Sequence, residues 1–144
     1  MNLEDLINQA QQVCEKRGAR LTKTRGEVLK LLAKHDGAVG AYDLLAELQK
    51  LDPAAKPATI YRSLDFLSKQ GFVHKIESIN AFVMCHHISD CKHPVQLLIC
   101  DNCGHVEEIQ SENLDLALRA MADASGFAID HQIVEAHGKC QKCQ

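Results

Sequence analysis

Cysteine and histidine side chains are concentrated in the second part of this chain. Its 144 residues include 7 cysteines and 8 histidines. Apart from Cys14 and His35, all of them lie at or beyond His74. An odd number of cysteines cannot pair completely as disulfides, and both residue types bind borderline and soft metal ions. The pattern therefore favours metal ligation.

Two Cys-x-x-Cys pairs carry the strongest metal signal. Cys100 and Cys103 form the first pair, and Cys140 and Cys143 form the second. Two intervening residues let both sulfurs turn toward one ion from a tight loop, and two such loops supply the tetrahedral four-thiolate site that suits zinc. A redox dithiol needs only one pair, while an iron–sulfur site also uses four cysteines. We expect structural zinc, which would stabilise the fold without catalysing a reaction.

A second group of possible ligands is more mixed. It draws on His74 and Cys85 at the two ends of a predicted hairpin, His93 on a predicted linker, and Glu108 on a later strand. Together these residues offer two nitrogens, one sulfur and one oxygen at the seam between two predicted domains. The alternative is an exposed histidine-rich segment that binds metal only weakly. Spacing alone leaves both interpretations open.

The first half of the chain has the order of a winged helix-turn-helix. Apolar residues at helical spacing predict four helices, the third over 42–51 and the fourth from Pro57 to Gln70, with Gly71 as its C-terminal cap. Strands predicted over 72–77 and 81–85 would form a hairpin, which is the wing.

The second half predicts a different unit. Apolar stretches indicate strands over 95–100 and 106–109, a helix over 114–124 and a strand over 127–136. The fold class is therefore α+β, with a winged helix-turn-helix domain at 1–84, a linker at 85–94 and a zinc-binding α/β domain at 95–144.

Charge is unevenly distributed between the halves. The net charge is −3, but residues 1–80 carry 12 basic and 10 acidic side chains, whereas residues 81–144 carry 4 and 9. The basic excess coincides with the predicted DNA-binding domain, although it is small. The start of the chain is acidic, unlike a signal peptide, and no apolar run approaches a membrane span. We expect a cytoplasmic protein with no membrane partner.

The predicted fourth helix has one face suited to DNA. Ile60, Leu64 and Leu67 share the inward face, which leaves Tyr61 and Arg62 on the face that can enter the major groove. Arg62 suits a bidentate contact with guanine, and Tyr61 suits a thymine methyl group or a phosphate. The alternative is that Arg62 binds only phosphate or pairs with Asp65. Further phosphate contacts are predicted for Thr59, Lys69, Lys23 and Arg25.

These features together resemble the ferric-uptake-regulator (Fur) superfamily, and within it the branch of zinc uptake regulators. The resemblance is carried by the run 56–67, the run 71–75 with His74, Cys85, and the two Cys-x-x-Cys pairs. The runs 41–45 and 135–138 also resemble that branch. The four-cysteine pattern is widespread, whereas the fourth helix together with His74 and Cys85 is more specific.

The resemblance implies a homodimer with a C-terminal α/β dimerisation domain and two zinc ions per chain. It assigns a structural zinc to the four paired cysteines and a sensing zinc to His74, Cys85, His93 and Glu108. The implied function is a zinc-responsive repressor of zinc-uptake genes that binds palindromic double-stranded DNA operators when it is loaded with zinc.

Other functions fit the sequence less well. A sensor of another metal or of peroxide belongs to the same superfamily, but the Cys85 thiol disfavours an iron site rich in oxygen ligands. A zinc hydrolase needs an open metal position, and no His-Glu-x-x-His helix or nucleophile elbow is present. We therefore expect no enzyme and no small-molecule substrate. A non-regulatory zinc-binding protein would leave the winged helix unexplained. Roles for His86, His87, Cys91 and His131 stay open.

Overall fold

The α+β class is confirmed by the helices and two small sheets of the computed structural model. The structure describes residues 2–88 and 93–144. The chain divides into two compact units, Met1–Cys91 and Lys92–Gln144. This division falls within 85–94, and the predicted bounds of the domains and the linker stay a prediction. Within the described residues, no helix has the length and apolarity needed to cross a membrane.

The first unit contains four helices and a hairpin, as the sequence predicts. Its elements are α1 (Leu3–Lys16), α2 (Lys23–Ala33), α3 (Ala41–Leu51), α4 (Pro57–Lys69), β1 (Val73–Ile76) and β2 (Ala81–Met84). The two strands are antiparallel, with His74 opposite Val83. An isolated antiparallel bridge, which the sequence did not predict, joins Val39 to Phe82 of β2. The wing therefore has a one-residue third strand.

Local capping explains where these helices begin and end. The Asn2 side chain accepts a hydrogen bond from the Asp5 backbone N–H (2.7 Å), and the Thr22 hydroxyl accepts one from the Arg25 N–H (3.3 Å). Both satisfy backbone donors that have no partner inside their own helix. Pro57 starts α4, where its fixed φ is already helical. Gly71 follows that helix at φ +74°, a left-handed conformation that favours glycine.

The core of the first unit is built from apolar stripes on its helices and hairpin. Ile60, Leu64 and Leu67 of α4 are at most 1% exposed, which confirms the predicted inward face. Phe72 lies fully buried just before β1. Cys14 belongs to the same core, where burial raises the pKa of its thiol. It is therefore a packing residue and not a ligand.

The second unit is a small sheet with one helix. Its elements are β3 (Val95–Cys100), β4 (Val106–Ile109), α5 (Glu112–Ala124) and β5 (Ile133–Gly138), followed by a short 3₁₀ turn at Gln141–Cys143. The strand order is β4-β3-β5. β3 pairs antiparallel with β4 and parallel with β5, so the last strand of the chain lies beside the first strand of the unit.

The predicted strand over 127–136 is wrong at its start, since β5 begins only at Ile133. Phe127 instead closes the end of α5: its N–H donates to the Ala122 carbonyl (2.8 Å), and Gly126 before it has φ +72°. This arrangement is a helix C-terminal cap, which takes Phe127 out of the strand. The helix itself begins two residues earlier than predicted, because the Ser111 hydroxyl accepts from the Leu114 N–H (3.3 Å).

The second unit has a thin core and a large exposed apolar surface. Its interior includes the buried polar residue Gln96, whose amide exchanges two hydrogen bonds with the Ser111 backbone (2.9 and 3.0 Å) and so fixes the start of α5 to β3. Large apolar side chains that are 37–66% exposed are Leu98, Leu114, Leu116, Met121, Phe127 and Ile133. Apolar surface on this scale is typical of a face that another chain covers.

Candidate metal centres and nucleic-acid interface

The two Cys-x-x-Cys pairs come together at one end of the second unit. Cys100 ends β3, and the parallel register pairs it with Gly138, two residues before Cys140. The four sulfurs of Cys100, Cys103, Cys140 and Cys143 all lie within 4.8 Å of one another, and those of Cys103 and Cys140 are 3.7 Å apart. The predicted pairing of the two motifs in space is therefore present.

The sulfur geometry fits zinc. A tetrahedral ion with Zn–S bonds of about 2.3 Å requires neighbouring sulfurs about 3.8 Å apart. The 3.7 Å between the sulfurs of Cys103 and Cys140 matches this spacing. Each cysteine loop is a tight turn: the Gly104 N–H donates to the Cys100 carbonyl (3.0 Å), and the Cys143 N–H to the Cys140 carbonyl (2.9 Å). Gly104 has φ +77°, a conformation that a residue with a side chain rarely adopts. Four thiolates around one ion leave no open position for a substrate.

The thiols of this cluster differ in acidity. Backbone N–H groups of Cys140 and Cys103 lower the pKa of Cys100 to about 6. At Cys103 the His105 N–H favours the thiolate, but hydrogen bonds with the sulfurs of Cys100 and Cys140 raise the pKa to about 11. One negative sulfur disfavours ionisation of the next. A divalent cation removes this conflict, so metal binding would release thiol protons.

A histidine on the last strand links the two cysteine loops. His137 on β5 contacts Asp101 through Nδ1 and Glu135 through Nε2, each at 3.0 Å. The hydrogen bond with Asp101, followed by that with Glu135, raises the pKa of His137. Asp101 lies between Cys100 and Cys103, and its N–H donates to the Gly138 carbonyl (2.9 Å). The contact therefore holds the first cysteine loop to the strand that leads to the second.

His74 and Cys85 are neighbours on one face of the wing. His74 lies opposite Val83, and Cys85 is two residues beyond Val83, so both side chains point to the same face. The Cys85 N–H donates to the Phe72 carbonyl (2.8 Å), which extends the strand pairing through Cys85. Their ligand atoms lie within 4.8 Å of each other, and Cys85 is buried. The hairpin thus pairs an imidazole nitrogen with a thiol.

His93 and Glu108 form a second pair, within the other unit. The His93 Nε2 lies 2.8 Å from the Glu108 Oε1, and both side chains are at most 5% exposed. Glu108 is held on β4 opposite Leu97 of β3, and His93 lies just before β3. A buried carboxylate requires hydrogen-bond donors or a cation, and this nitrogen–oxygen pair is of the type that binds zinc. That all four residues bind one ion stays a prediction.

The remaining histidines and cysteines of this segment are less informative. His86 is exposed, and the His87 N–H donates to the Cys85 sulfur (3.2 Å). His131 is exposed as well. Cys91 lies outside the described residues.

One face of α4 is open, as the sequence predicts. Tyr61 and Arg62 are exposed, and Asp65 forms its ion pair with Lys69 (2.9 Å) instead of with Arg62. Tyr42 of α3, which the sequence analysis did not assign, meets Tyr61 edge to face with ring centroids 6.4 Å apart. This contact packs the Tyr61 ring of α4 against a residue of α3. This surface can offer cationic, aromatic and hydrogen-bonding groups to a nucleic acid.

The predicted phosphate contacts are located on nearby elements. Lys23 is exposed at the first position of α2. The Thr59 hydroxyl accepts a hydrogen bond from the Lys56 N–H (3.1 Å), so it also caps α4. Arg25 is half-buried and holds its guanidinium over the ring of Phe66, 3.8 Å from the centroid. Arg25 therefore already has a partner within the protein.

Comparisons with known proteins agree with this geometry. Residues 16–137 match the model of the "Ferric uptake regulator family". The chain is 46% identical over 140 residues to the "Zinc uptake regulation protein" of Escherichia coli (strain K12), which covers 97% of this chain and 82% of that protein. A crystal structure of holo XcZur aligns with a TM-score of 0.88, at 43% identity and 96% coverage of both chains.

A structure described as a zinc uptake regulator complexed with zinc and DNA is also similar to this chain. It aligns with a TM-score of 0.95 and 45% identity, and the alignment covers 99% of this chain and 95% of that one. At this similarity the fold of that protein and of this chain is the same.

Cys103→Ser should remove the metal of the four-cysteine cluster. With one thiolate missing, the two loops are no longer closed around an ion, and metal binding of this kind supplies much of the folding free energy of a small unit. We expect zinc content to fall by about one ion per chain and the second unit to unfold, as measured by elemental analysis and circular dichroism. Cys14→Ala, which removes a core thiol, should retain its zinc. Full zinc content in Cys103→Ser would contradict the assignment.

His137→Gln should lower stability in a pH-dependent way. The folded-state pKa of His137 is raised above its usual value of 6.5, so protonation favours the folded protein. The stabilisation is complete below the unfolded-state pKa and is lost as pH rises through the folded-state pKa. In urea unfolding with saturating zinc, the gap between wild type and variant should be largest near about pH 6 and narrow toward about pH 9. A gap that widens with pH would exclude this role.

Proposed function

The chain belongs to the ferric uptake regulator family, and we propose that it is a zinc-responsive repressor of zinc-uptake genes. It binds palindromic operator DNA as a homodimer when zinc is bound. The support comes from the similarity over nearly the whole chain to a zinc uptake regulation protein and from the match to a regulator solved with zinc and DNA. The open face of α4 and the two groups of metal ligands supply the corresponding chemistry.

The proposal includes two zinc ions per chain with different roles. Cys100, Cys103, Cys140 and Cys143 hold a structural zinc, whose support is the close approach of the four sulfurs. The pair His74 and Cys85 and the pair His93 and Glu108 together hold the sensing zinc. The support for each pair is its internal geometry, with the histidine of each pair beside a thiol or a carboxylate.

Cys85 is the residue that carries the preference for zinc. It is buried and lies on the same face of the wing as His74. A thiolate ligand favours zinc over ferrous iron or manganese, which bind oxygen-rich sites. Affinity order alone does not set selectivity. The direct comparison is whether zinc or iron restores DNA binding to the wild type after mild chelation. A family member that senses another metal or peroxide is the second candidate function.

DNA recognition is assigned to α4 and the start of α2. Arg62 reads a base edge in the major groove and Tyr61 contacts a thymine methyl group or a phosphate. Thr59 and Lys23 contact the phosphate backbone. The exposure of Tyr61 and Arg62 and the pairing of Asp65 with Lys69 support this assignment, because they leave the Arg62 guanidinium available.

Dimerisation accounts for the exposed apolar surface of the second unit. Leu116, Met121 and Phe127 are each more than half exposed. A homodimer covers such a surface by symmetry, since the same face is present on both copies. Two copies of α4 then read two half-sites, which is why the operator is expected to be palindromic.

Zinc acts on DNA binding through linkage. The ion can shift the protein toward its DNA-binding state only by as much as it binds that state more tightly, and DNA tightens zinc binding by the same factor. The proposal requires no reaction step, so the protein is not an enzyme and has no small-molecule substrate. Because its target is chromosomal DNA, the proposal implies a cytoplasmic protein.

Cys85→Ser should separate sensing from folding. The hydroxyl is a poor zinc ligand, so we expect the variant to keep its fold and structural zinc but to lose zinc-dependent operator binding. Elemental analysis should give about two zinc ions per wild-type chain and about one in the variant, in parallel with a DNA-binding titration. Cys14→Ala serves as the control for loss of a buried thiol.

Several outcomes would contradict the zinc-sensor proposal. Normal operator binding by Cys85→Ser in zinc would remove Cys85 from the sensing site. A single tight zinc in the wild type, with DNA binding restored by iron and not by zinc after mild chelation, would favour a sensor of another metal. Zinc binding without any effect on DNA would favour a non-regulatory zinc-binding protein.

Arg62→Ala should weaken operator binding and relax its sequence preference. Loss of one bidentate base contact costs about 1–3 kcal/mol, or roughly 5- to 150-fold in affinity per contact. The loss should be confined to operators with the matching base, because other sequences do not make the contact. Competition binding against single-base operator variants measures this. An equal loss on every sequence would indicate that Arg62 contacts only phosphate.

A further inference from the structure

Arg25 occupies a position that its predicted role as a phosphate ligand does not explain. The carbon of its guanidinium lies 3.8 Å from the centroid of the Phe66 ring, and its Nη1 donates to the Arg20 carbonyl (2.7 Å). Its backbone is also fixed, since its N–H donates to the Thr22 hydroxyl. Arg25 on α2 is therefore held at both its main chain and its side chain, against a residue of α4.

Phe66 lies at the place on α4 where such a contact matters most. It follows Arg62 by four residues, so the two side chains are one turn apart on neighbouring positions of the helix surface. Phe66 is half-buried, between the inward face that contains Leu64 and Leu67 and the exposed face that contains Arg62. A contact at this edge resists rotation of α4 about its own axis.

The chemistry of the contact is specific to arginine. A planar guanidinium stacks on an aromatic face and still donates hydrogen bonds from its edge, which an ammonium group does not reproduce. The guanidinium carbon of Arg25 lies over the Phe66 ring, and the Arg20 carbonyl accepts a hydrogen bond from its Nη1. A second arginine supports the same C-terminal end of this helix, since the Arg17 Nη1 donates to the carbonyl of Gln70 (2.8 Å).

We propose that Arg25 is a positioning residue of the recognition helix: its stack on Phe66 sets the rotation of α4 at which Arg62 and Tyr61 meet the base edges. Arg25 therefore contributes to sequence discrimination and not to general attraction for DNA. This inference rests on the proposed DNA-binding function. It replaces the predicted phosphate contact of Arg25 and leaves that of Lys23 in place.

The two roles predict different behaviour with salt and with sequence. A residue that neutralises a phosphate contributes to the binding of every sequence, and its loss lowers the slope of log affinity against log salt by about one per contact. A positioning residue changes the affinity for the operator alone and leaves that slope unchanged. Lys23, exposed on the same helix turn, is the matched control for loss of charge.

The experiment uses the full-length zinc-loaded dimer and the duplex that the wild type selects from a random library. Arg25→Gln, Arg25→Lys and Phe66→Leu are compared with Lys23→Gln and with Phe66→Tyr, which keeps the ring. Affinity is measured for the selected duplex and for a scrambled one at several salt concentrations. We expect the first three variants to lose roughly two- to fivefold per half-site on the selected duplex only. Phe66→Tyr should match the wild type, and Lys23→Gln should lose affinity for both duplexes.

Contrary outcomes are distinct from one another. If Arg25→Gln weakens both duplexes and lowers the salt slope while Arg25→Lys behaves as wild type, Arg25 is a phosphate ligand and the inference is wrong. Unchanged binding in Arg25→Gln and Phe66→Leu would also overturn it. If Phe66→Leu does not fold, Arg25→Lys alone still separates the two roles, because it keeps the charge and removes the planar stack.

A measurement without DNA separates the inference from the function on which it rests. Urea unfolding of wild type, Arg25→Gln, Phe66→Leu and the double variant forms a double-mutant cycle. The expected result is coupling, so that the double variant is less destabilised than the two single variants would add up to. Additive effects would overturn the stack itself. Coupling in a protein that selects no duplex would instead show that the proposed DNA-binding function has failed while the contact stands.

Discussion

The four-cysteine cluster is the constraint on which the second unit depends. That unit buries few large apolar side chains and exposes several others, so its own core supplies little folding free energy. The cluster brings the end of β3 together with the last residues of the chain, a short 3₁₀ turn that follows β5. A metal ion between these sulfurs would close the sheet at one end, and the contact of His137 with Asp101 supports the same junction. The proposed dimerisation would contribute in a second way, because it would cover the apolar side chains that the unit leaves exposed.

The first unit is organised differently, around an apolar core built from its helices and hairpin. Its helices are capped locally, and α4 packs three aliphatic residues inward while it keeps an exposed face. A DNA-binding unit that is stabilised by its own core suits a regulator. The reading surface has its own source of stability, so that a metal-dependent equilibrium can change its affinity for DNA without unfolding it. The same reasoning is consistent with a proposed sensing ligand, Cys85, at the end of the wing, just beyond β2.

The proposed DNA-reading surface is shaped by side chains that hold other side chains. Tyr42 meets Tyr61, Asp65 is paired with Lys69, and Arg25 is stacked on Phe66. The first and third contacts hold residues that lie close to Arg62 on α4. The second occupies Asp65, so that Arg62 is available to DNA. Groups that are held before DNA arrives lose less conformational entropy on binding. A small positive net charge in the first half is therefore compatible with sequence-specific recognition. A few DNA-contacting side chains that are already ordered can replace a larger number of flexible basic ones.

Local patterns in the sequence determined the element types, the inward face of α4 and the two Cys-x-x-Cys motifs, since periodicity, caps and cysteine spacing act over a few residues. For the mixed group of His74, Cys85, His93 and Glu108, spacing alone left the choice open, and the resemblance to the family supplied the set. The sequence also paired His74 with Cys85 through the hairpin. Tertiary structure decided the rest. β5 starts at Ile133 because Phe127 caps α5, and its parallel pairing with β3 brings Cys140 to Cys100. The contacts of His137 and Arg25 join residues far apart or on different helices. Such contacts depend on how elements pack, which no local pattern encodes.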